Sequence, residues 1–155
     1  MSVSSNLIFY DTETTGLLKD FSQILQCGSI QTNRNLEIVQ EQNLGCAPLP
    51  WAIPHPMAMV TNKKTNLFHS NVSHYELMRD LNRQWRQWTI DEPAVFITFN
   101  GMAYDEELVR RQFYWNLFES YLTNTNGNGR LDILLMMNNI AAFSPDVLNI
   151  PLFDG

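Results

Sequence analysis

Cysteine is scarce in this sequence. Cys27 and Cys46 are the only two in 155 residues, too few and too isolated for a disulfide framework or a zinc ligand set, so both are expected as buried thiols. Long apolar runs are missing too: the longest stretches, such as Ala94-Val95-Phe96-Ile97, break within a few positions. A membrane-spanning helix needs roughly 18 such residues in a row, so no membrane span is expected. Met1 to Asn6 has neither the basic nor the apolar part of a secretory leader, which predicts a cytoplasmic protein. Positive charge is also short. Ten Lys and Arg against sixteen Asp and Glu leave a net charge of -6, and a field of that sign repels nucleic acid unless cations or a local basic patch intervene. This excludes a general DNA-coating protein, but not an enzyme whose carboxylates hold divalent metals. No repeat or linker divides the chain, and 45% hydrophobic content suffices for one packed core, so residues 1–155 are expected to form a single domain.

What is present reads as alternating strands and helices. Leu7-Ile8-Phe9-Tyr10 is a short β-branched and aromatic run that stops at Asp11 and predicts a first strand. A second is expected from Ile24 to about Ile30 and a third at Leu36–Gln40, joined by a hairpin turn at Thr32-Asn33-Arg34-Asn35. The four prolines between Ala47 and Pro56 mark an extended loop. Ser73 and Glu76 have capping-box spacing, and Leu77, Met78, Leu81, Trp85 and Trp88 then recur at helical intervals. The two tryptophans share one face with the leucines, which predicts core packing and not a stacking platform. Pro93 ends that helix, and Val95–Phe99 has the composition of a strand buried on both faces. A second helix is expected from Tyr104 to about Phe118. Leu131 would end a short edge strand, and Asp132 would cap a third helix reaching about Ile140. The order is β-β-β-α-β-α-(β)-α.

The chemistry centres on Asp11-Thr12-Glu13 at the end of the first strand. Side chains two apart on an extended chain point the same way, so both carboxylates face one place. Carboxylates that close repel one another, and a divalent cation relieves the repulsion; Mg²⁺ and Mn²⁺ prefer hard oxygen ligands of this type. D-x-E alone is a weak signal, since a solvated strand end gives the same pattern. Its position after an apolar strand and before Thr14-Thr15-Gly16 strengthens it.

Phe9-Tyr10-Asp11-Thr12-Glu13-Thr14-Thr15-Gly16-Leu17 resembles the first motif of the 3′→5′ exonucleases that carry three Asp and one Glu at the active site. Asn100-Gly101-Met102-Ala103-Tyr104-Asp105 resembles their second, an Asn followed by an aromatic-Asp pair at a helix start. The stretch Phe99–Phe118, the proline-rich loop with Ala58-Met59-Val60-Thr61, and Leu131-Asp132-Ile133-Leu134 are similar in order to the exonuclease I branch, which digests single-stranded DNA. The resemblance covers nearly the whole chain. It implies a ribonuclease H-like α/β fold, with a three-stranded antiparallel meander extended by parallel strands and flanked by helices. It also implies a two-metal Mg²⁺ or Mn²⁺ site, with Asp11 on both metals, Glu13 on the first and Asp105 a further ligand. Two metals about 4 Å apart stabilise both the attacking and the leaving oxygens of a phosphodiester. Backbone amides around Thr14 and Thr15, the Leu17 side chain and Asn100 would hold the 3′ end of single-stranded DNA. For Leu17 a core contact is an equal alternative.

The family completes its site with a His, or in another branch a Tyr, followed five or four residues later by a final Asp. No such pair exists here: the positions five after His55, His69 and His74 are Val60, His74 and Arg79, and none of the five tyrosines has an Asp four residues on. The expectation is a chain that stops before the family's last helix at the loop-like Pro151–Gly155, slowed by roughly 10²–10⁴ for want of a base. A naturally degenerate relative, serving as a non-catalytic nucleic-acid-binding or interaction module, is the reading from a different class. A short-RNA exonuclease is an alternative within the same one. Asp132 is expected as a helix cap more than a ligand, and the three histidines in surface or capping roles. Arg79, Arg83 and Arg86 read as a solvated helix face or a phosphate guide; Lys63-Lys64 and Arg110-Arg111 are similarly ambiguous. Asn62-Lys63 stands where relatives often carry Gly-Ile.

Overall fold

Alternation along the first strand decides which side of the sheet is covered. In β1 (Asn6–Thr14) the residues Asn6, Ile8, Tyr10, Thr12 and Thr14 are buried, whereas Leu7, Phe9, Asp11 and Glu13 are half-buried or exposed. The computed structural model describes residues 6–63 and 65–147. Lys64 and the terminal Pro151–Gly155 stretch lie outside the described residues. β1 pairs antiparallel with β2 (Ile24–Thr32), which pairs antiparallel with β3 (Ile38–Gly45). On the other side β1 runs parallel to β4 (Ala94–Thr98), and β4 parallel to β5 (Gly129–Asp132), giving the order β3-β2-β1-β4-β5. The expected meander plus parallel strands is therefore present, with two changes of strand boundary. β1 continues through Asp11 to Thr14, and β3 lies further along the chain than Leu36–Gln40, because Leu36 adopts a left-handed φ of 63° and prolongs the turn. A register shift between Glu13 and Thr14 marks a bulge just before the last β1–β2 pair, Thr14 with Ile24.

The helices are α1 (Pro56–Asn62), α2 (His74–Trp88), α3 (Asp105–Trp115) and α4 (Ile133–Phe143). α2 starts where the sequence places it: the Ser73 hydroxyl accepts from Glu76 N–H, and the Glu76 carboxylate accepts from Ser73 N–H. α1, by contrast, is not expected from the sequence; Pro56 is tolerated in its first turn and His55 caps it. α2 and α3 supply the core against one sheet face. Trp85 is fully buried, with its ring edge-on to Tyr10 at 4.9 Å, Phe96 at 5.2 Å and Phe113 at 6.1 Å between centroids. Its indole N–H donates to Ser29 Oγ at 3.0 Å. Trp88 is buried as well, so both tryptophans pack in the core, as the helical spacing indicates. Cys27 and Cys46 are buried free thiols; burial pushes Cys27 up to about 12 and Cys46 up to about 11. Among the described residues no helix is long and apolar enough to cross a membrane.

Candidate active site

Asp11 lies on the sheet face opposite the helices and stands across from Gly28 of β2. A Cβ added at Gly28 would meet nothing within 4 Å, so the space beside the Asp11 carboxylate is open. Asp11 opens onto a cleft of about 620 Å³ with Phe9, Gly28, Asn43, Ile97 and Phe99. Glu13 is two residues further on the same face, opposite Gln26.

Asp105 reaches the strand from the helix side. It is the first residue of α3 and is buried, and its Oδ1 accepts from the N–H of Thr12, at 3.2 Å, and from the Thr12 hydroxyl. The third carboxylate is thus held against the peptide between the other two. Burial pushes its pKa above the ordinary carboxylate range and the negative charge of Asp11 adds to this, while the Thr12 bonds pull in the other direction. The next residue, Glu106, is buried too and anchors the helix: it accepts from Tyr10 Oη at 2.7 Å, Thr123 Oγ1 at 2.6 Å and Arg130 Nη1 at 3.3 Å. Burial, followed by the Glu106 charge, raises the Tyr10 phenol well above its ordinary value.

Gly101 makes this approach sterically feasible. A Cβ there would come within 2.7 Å of Asp105 Oδ2 and 2.8 Å of Thr98 Cβ. Its carbonyl accepts from Tyr104 and Glu106 N–H at 3.1 and 3.0 Å, forming the turn that begins α3. Asn100, exposed and left-handed at φ 59°, donates its N–H to Asp132 Oδ1 at 3.0 Å. Asp132 also accepts from Met102, Leu134 and Leu135 N–H. Burial would push this carboxyl up, yet the four backbone donors together hold it below the usual range. It is the cap of α4, as its position in the sequence suggests.

Beyond β1 the chain builds a second cleft, of about 510 Å³, from Thr14, Gly16, Leu17, Leu18, His55, Met57, Ala58, Thr61 and Asn62. Leu17 is 85% exposed, so it is a wall of this cleft and not a core contact. α1 is tied to the strand end at both of its ends. His55 N–H donates to Thr15 O at 2.7 Å and Asn62 Nδ2 to Thr14 O at 2.9 Å. Tyr104 Oη donates to Gly16 O and lies 2.9 Å from Thr14 Oγ1, which links this loop to the residue before Asp105. Thr15 departs from expectation: its N–H bonds Gln23 O at 2.9 Å and its hydroxyl accepts from Gln23 N–H, so that amide is already occupied in shaping the loop.

The structure therefore brings Asp11 and Glu13 to one face and Asp105 to the backbone between them. It does not gather all three around one point: among the described residues no group of three or more His, Cys, Asp or Glu is placed to hold a metal ion. The donors are nevertheless carboxylate oxygens, the type a hard divalent cation takes. Of the other candidates, Arg79 and Arg83 pair with Asp80, and Arg86 with Glu119, on the exposed side of α2. The Arg110 guanidinium lies 4.2 Å above the Tyr121 ring, and Arg111 pairs with Asp20 and Glu107. His69 is exposed. His74 is neither surface nor cap: it is buried with Nε2 at 2.6 Å from Gln112 Oε1. Tyr104, His55, Asn62 and Gly101 escape the sequence reading in these positioning roles; the only local hint is that His55 stands between two prolines.

No protein-family model matches the chain. A curated exodeoxyribonuclease I of Buchnera aphidicola is 28% identical over 157 residues, which is 94% of this chain and 35% of that protein. The exonuclease I structure from Methylocaldum szegediense superimposes with a TM-score of 0.83 at 24% identity, over 96% of this chain and 32% of that one. The chain is similar to exonuclease I. A zinc-bound Escherichia coli exonuclease I complexed with single-stranded DNA shares the fold as well, with a TM-score of 0.84, 20% identity, and coverage of 97% of this chain and 32% of that one. The five-stranded mixed sheet with its helices is accordingly the ribonuclease H-like α/β fold of exonuclease I. The chain spans about a third of the length of the exonuclease I proteins it matches.

Proposed function

We propose that this chain is a nuclease domain that binds the 3′ end of single-stranded DNA and hydrolyses its last phosphodiester with divalent metal, Mg²⁺ or Mn²⁺. One observation carries the reading: the acidic end of β1 leads directly into a cleft walled by Leu17 and α1, tied to the strand by His55 and Asn62. A terminal nucleotide in that cleft would lie beside the strand end that carries Asp11 and Glu13. The similarity to exodeoxyribonuclease I and the zinc- and DNA-bound Escherichia coli structure support the same substrate and a divalent cofactor.

In this reading Asp11 and Glu13 offer their oxygens from the open face, and Asp105 adds its own from beside Thr12. A bound divalent cation supplies charge stabilisation to the attacking and leaving oxygens. Leu17 and the apolar side of α1 exclude water from the terminal base, and Tyr104 holds the Gly16 carbonyl so that the cleft keeps its shape. Asn100 flanks the site from the α3 side. The two reduced, buried thiols suit the cytoplasmic setting expected for such an enzyme.

The chain contains no His-x-x-x-x-Asp or Tyr-x-x-x-Asp pair, so its own turnover is expected to be slowed by roughly 10²–10⁴ relative to a complete site. The separation of Asp105 from the other two carboxylates favours, as a second reading, a module that binds 3′ ends without cutting them. Labelled oligonucleotides decide between them. Slow release of 3′ nucleotides with Mg²⁺ or Mn²⁺, abolished by Asp11→Ala, supports the enzyme. Binding without any release supports the module, and release that survives chelation refutes the metal mechanism. Equal release from RNA would redirect the substrate to short RNA.

A further inference from the structure

A third cleft, of about 320 Å³, is lined by Asp20–Gln23 after β1, by Leu49 and Trp51–Ile53 before α1, and by His74, Gln112 and Trp115 of α2 and α3, and has no role in the site above. Its rim holds large side chains left outside the core: Phe21 is 80% exposed, Trp51 75% and Trp115 54%. Two buried polar residues of its lining, Gln23 and Gln112, are already satisfied. Gln23 bonds Ala47 O and Leu49 N–H, and Gln112 bonds Ile24 N–H, Ser22 O and His74 Nε2. A ligand here would find flat aromatic faces and no free hydrogen-bonding code. Asp20 is the one carboxylate among the lining residues, and it is paired with Arg111. In the adjoining loop Lys19 Nζ bonds a neutral carbonyl, Ala103 O, at 3.0 Å. In a chain of net charge -6, this wall carries no unpaired acid among its lining residues.

The two clefts share no lining residue, but a tight turn joins them along the chain. Leu18 lines the 3′-end cleft and Phe21 the aromatic one, and Phe21 N–H bonds Leu18 O at 2.9 Å in a tight turn. Such a turn keeps its end residues within about 7 Å, within reach of consecutive nucleotides. We infer that Phe21, Trp51 and Trp115 form a stacking subsite for a base upstream of the 3′-terminal nucleotide, one that holds single-stranded DNA without regard to base identity. This rests on the proposed 3′-end binding and adds to it a second point of attachment. Base-on-aromatic stacking is sequence-tolerant because every base presents a π-face.

The test measures binding of the full chain to dTMP and to 5′-labelled, hydrolysis-resistant phosphorothioate oligonucleotides of four T, four A or four C residues, with Mg²⁺ present. Trp51→Ala and Trp115→Ala are compared with Leu17→Ala in the first cleft, and unchanged melting temperatures verify folding of these surface variants. The expected result is that each tryptophan variant binds all three oligonucleotides about ten-fold more weakly while keeping native dTMP affinity; Leu17→Ala weakens dTMP and oligonucleotides alike. Oligonucleotide affinity unchanged in both tryptophan variants overturns the inference and leaves 3′-end binding standing. A loss that extends equally to dTMP overturns it too, since the subsite would not be separate. No binding of dTMP or oligonucleotide by the native chain overturns the proposed function together with this subsite.

Discussion

Replacing Gly101 with alanine tests how Asp105 is held. The added methyl would lie 2.7 Å from Asp105 Oδ2 and 2.8 Å from Thr98 Cβ, where ordinary contact begins near 3.4 Å. Neither neighbour yields easily: Thr98 is buried in β4, and Asp105 is fixed to Thr12 at the start of α3. The turn and the strand would have to part by roughly half an ångström or more, and overpacking of this order costs about 1–3 kcal/mol. Urea unfolding should show a lower midpoint at unchanged slope. Because one of the two clashes is with the Asp105 carboxylate, Gly101→Ala should cost less in an Asp105→Ala background, with a coupling of about 1 kcal/mol between the two sites. A Gly101→Ala chain that unfolds at the native midpoint, or whose cost is the same in both backgrounds, would refute the close packing of Gly101 on Asp105.

Other consequences follow from buried groups elsewhere. The Asp132 carboxyl is held below the usual range by its four backbone bonds, so its stabilising contribution is present above the unfolded carboxylate pKa and is lost as pH falls through the folded one. Asp132→Asn should therefore be less stable than the native chain at pH 7, by about 1–3 kcal/mol, with a gap in melting temperature that closes at strongly acidic pH; a pH-independent gap would contradict this. Trp85→Ala removes a fully buried ring that contacts three others and should lose about 3–5 kcal/mol in denaturant. Cys27, pushed up to about 12 by burial, should resist thiol reagents at pH 8 in the native chain and react at once in denaturant. Under the proposed function, Asn62→Ala should raise KM for oligonucleotides more than it lowers kcat, since Asn62 shapes the cleft beyond β1 through Thr14.

The parts legible in the sequence were those written within one element. The Ser73–Glu76 box, the helical run to Trp88 and the Asp132 cap are local patterns, and the structure has all three. The end of β1 was less legible: carboxylates are rare inside strands, so the sequence suggests a stop at Tyr10, whereas Gly28 opposite Asp11 lets the strand continue. The Asp11–Glu13 pair follows from the period of a strand, but Asp105 depends on a contact across 93 residues with Thr12, which no periodicity records. α1 was hidden by the prolines around it, although one of them is its first residue. His74 looked like a residue at a helix start; only the fold shows that Gln112 awaits it in the core.

The bulge at Glu13/Thr14 bears on how this scaffold tolerates change. A one-residue slip in a continuous ladder would turn every side chain to the opposite face and carry the acidic pair into the core. Here the irregularity lies between Glu13 and the last paired residue, Thr14, so the register that aims Asp11 and Glu13 is set on the near side of the bulge. Insertions or deletions between Gly16 and Ser22 should thus reshape the cleft beyond β1 while Asp11 and Glu13 keep their aim. The bulge is a slip joint, letting the loop change while the acidic strand stays in place.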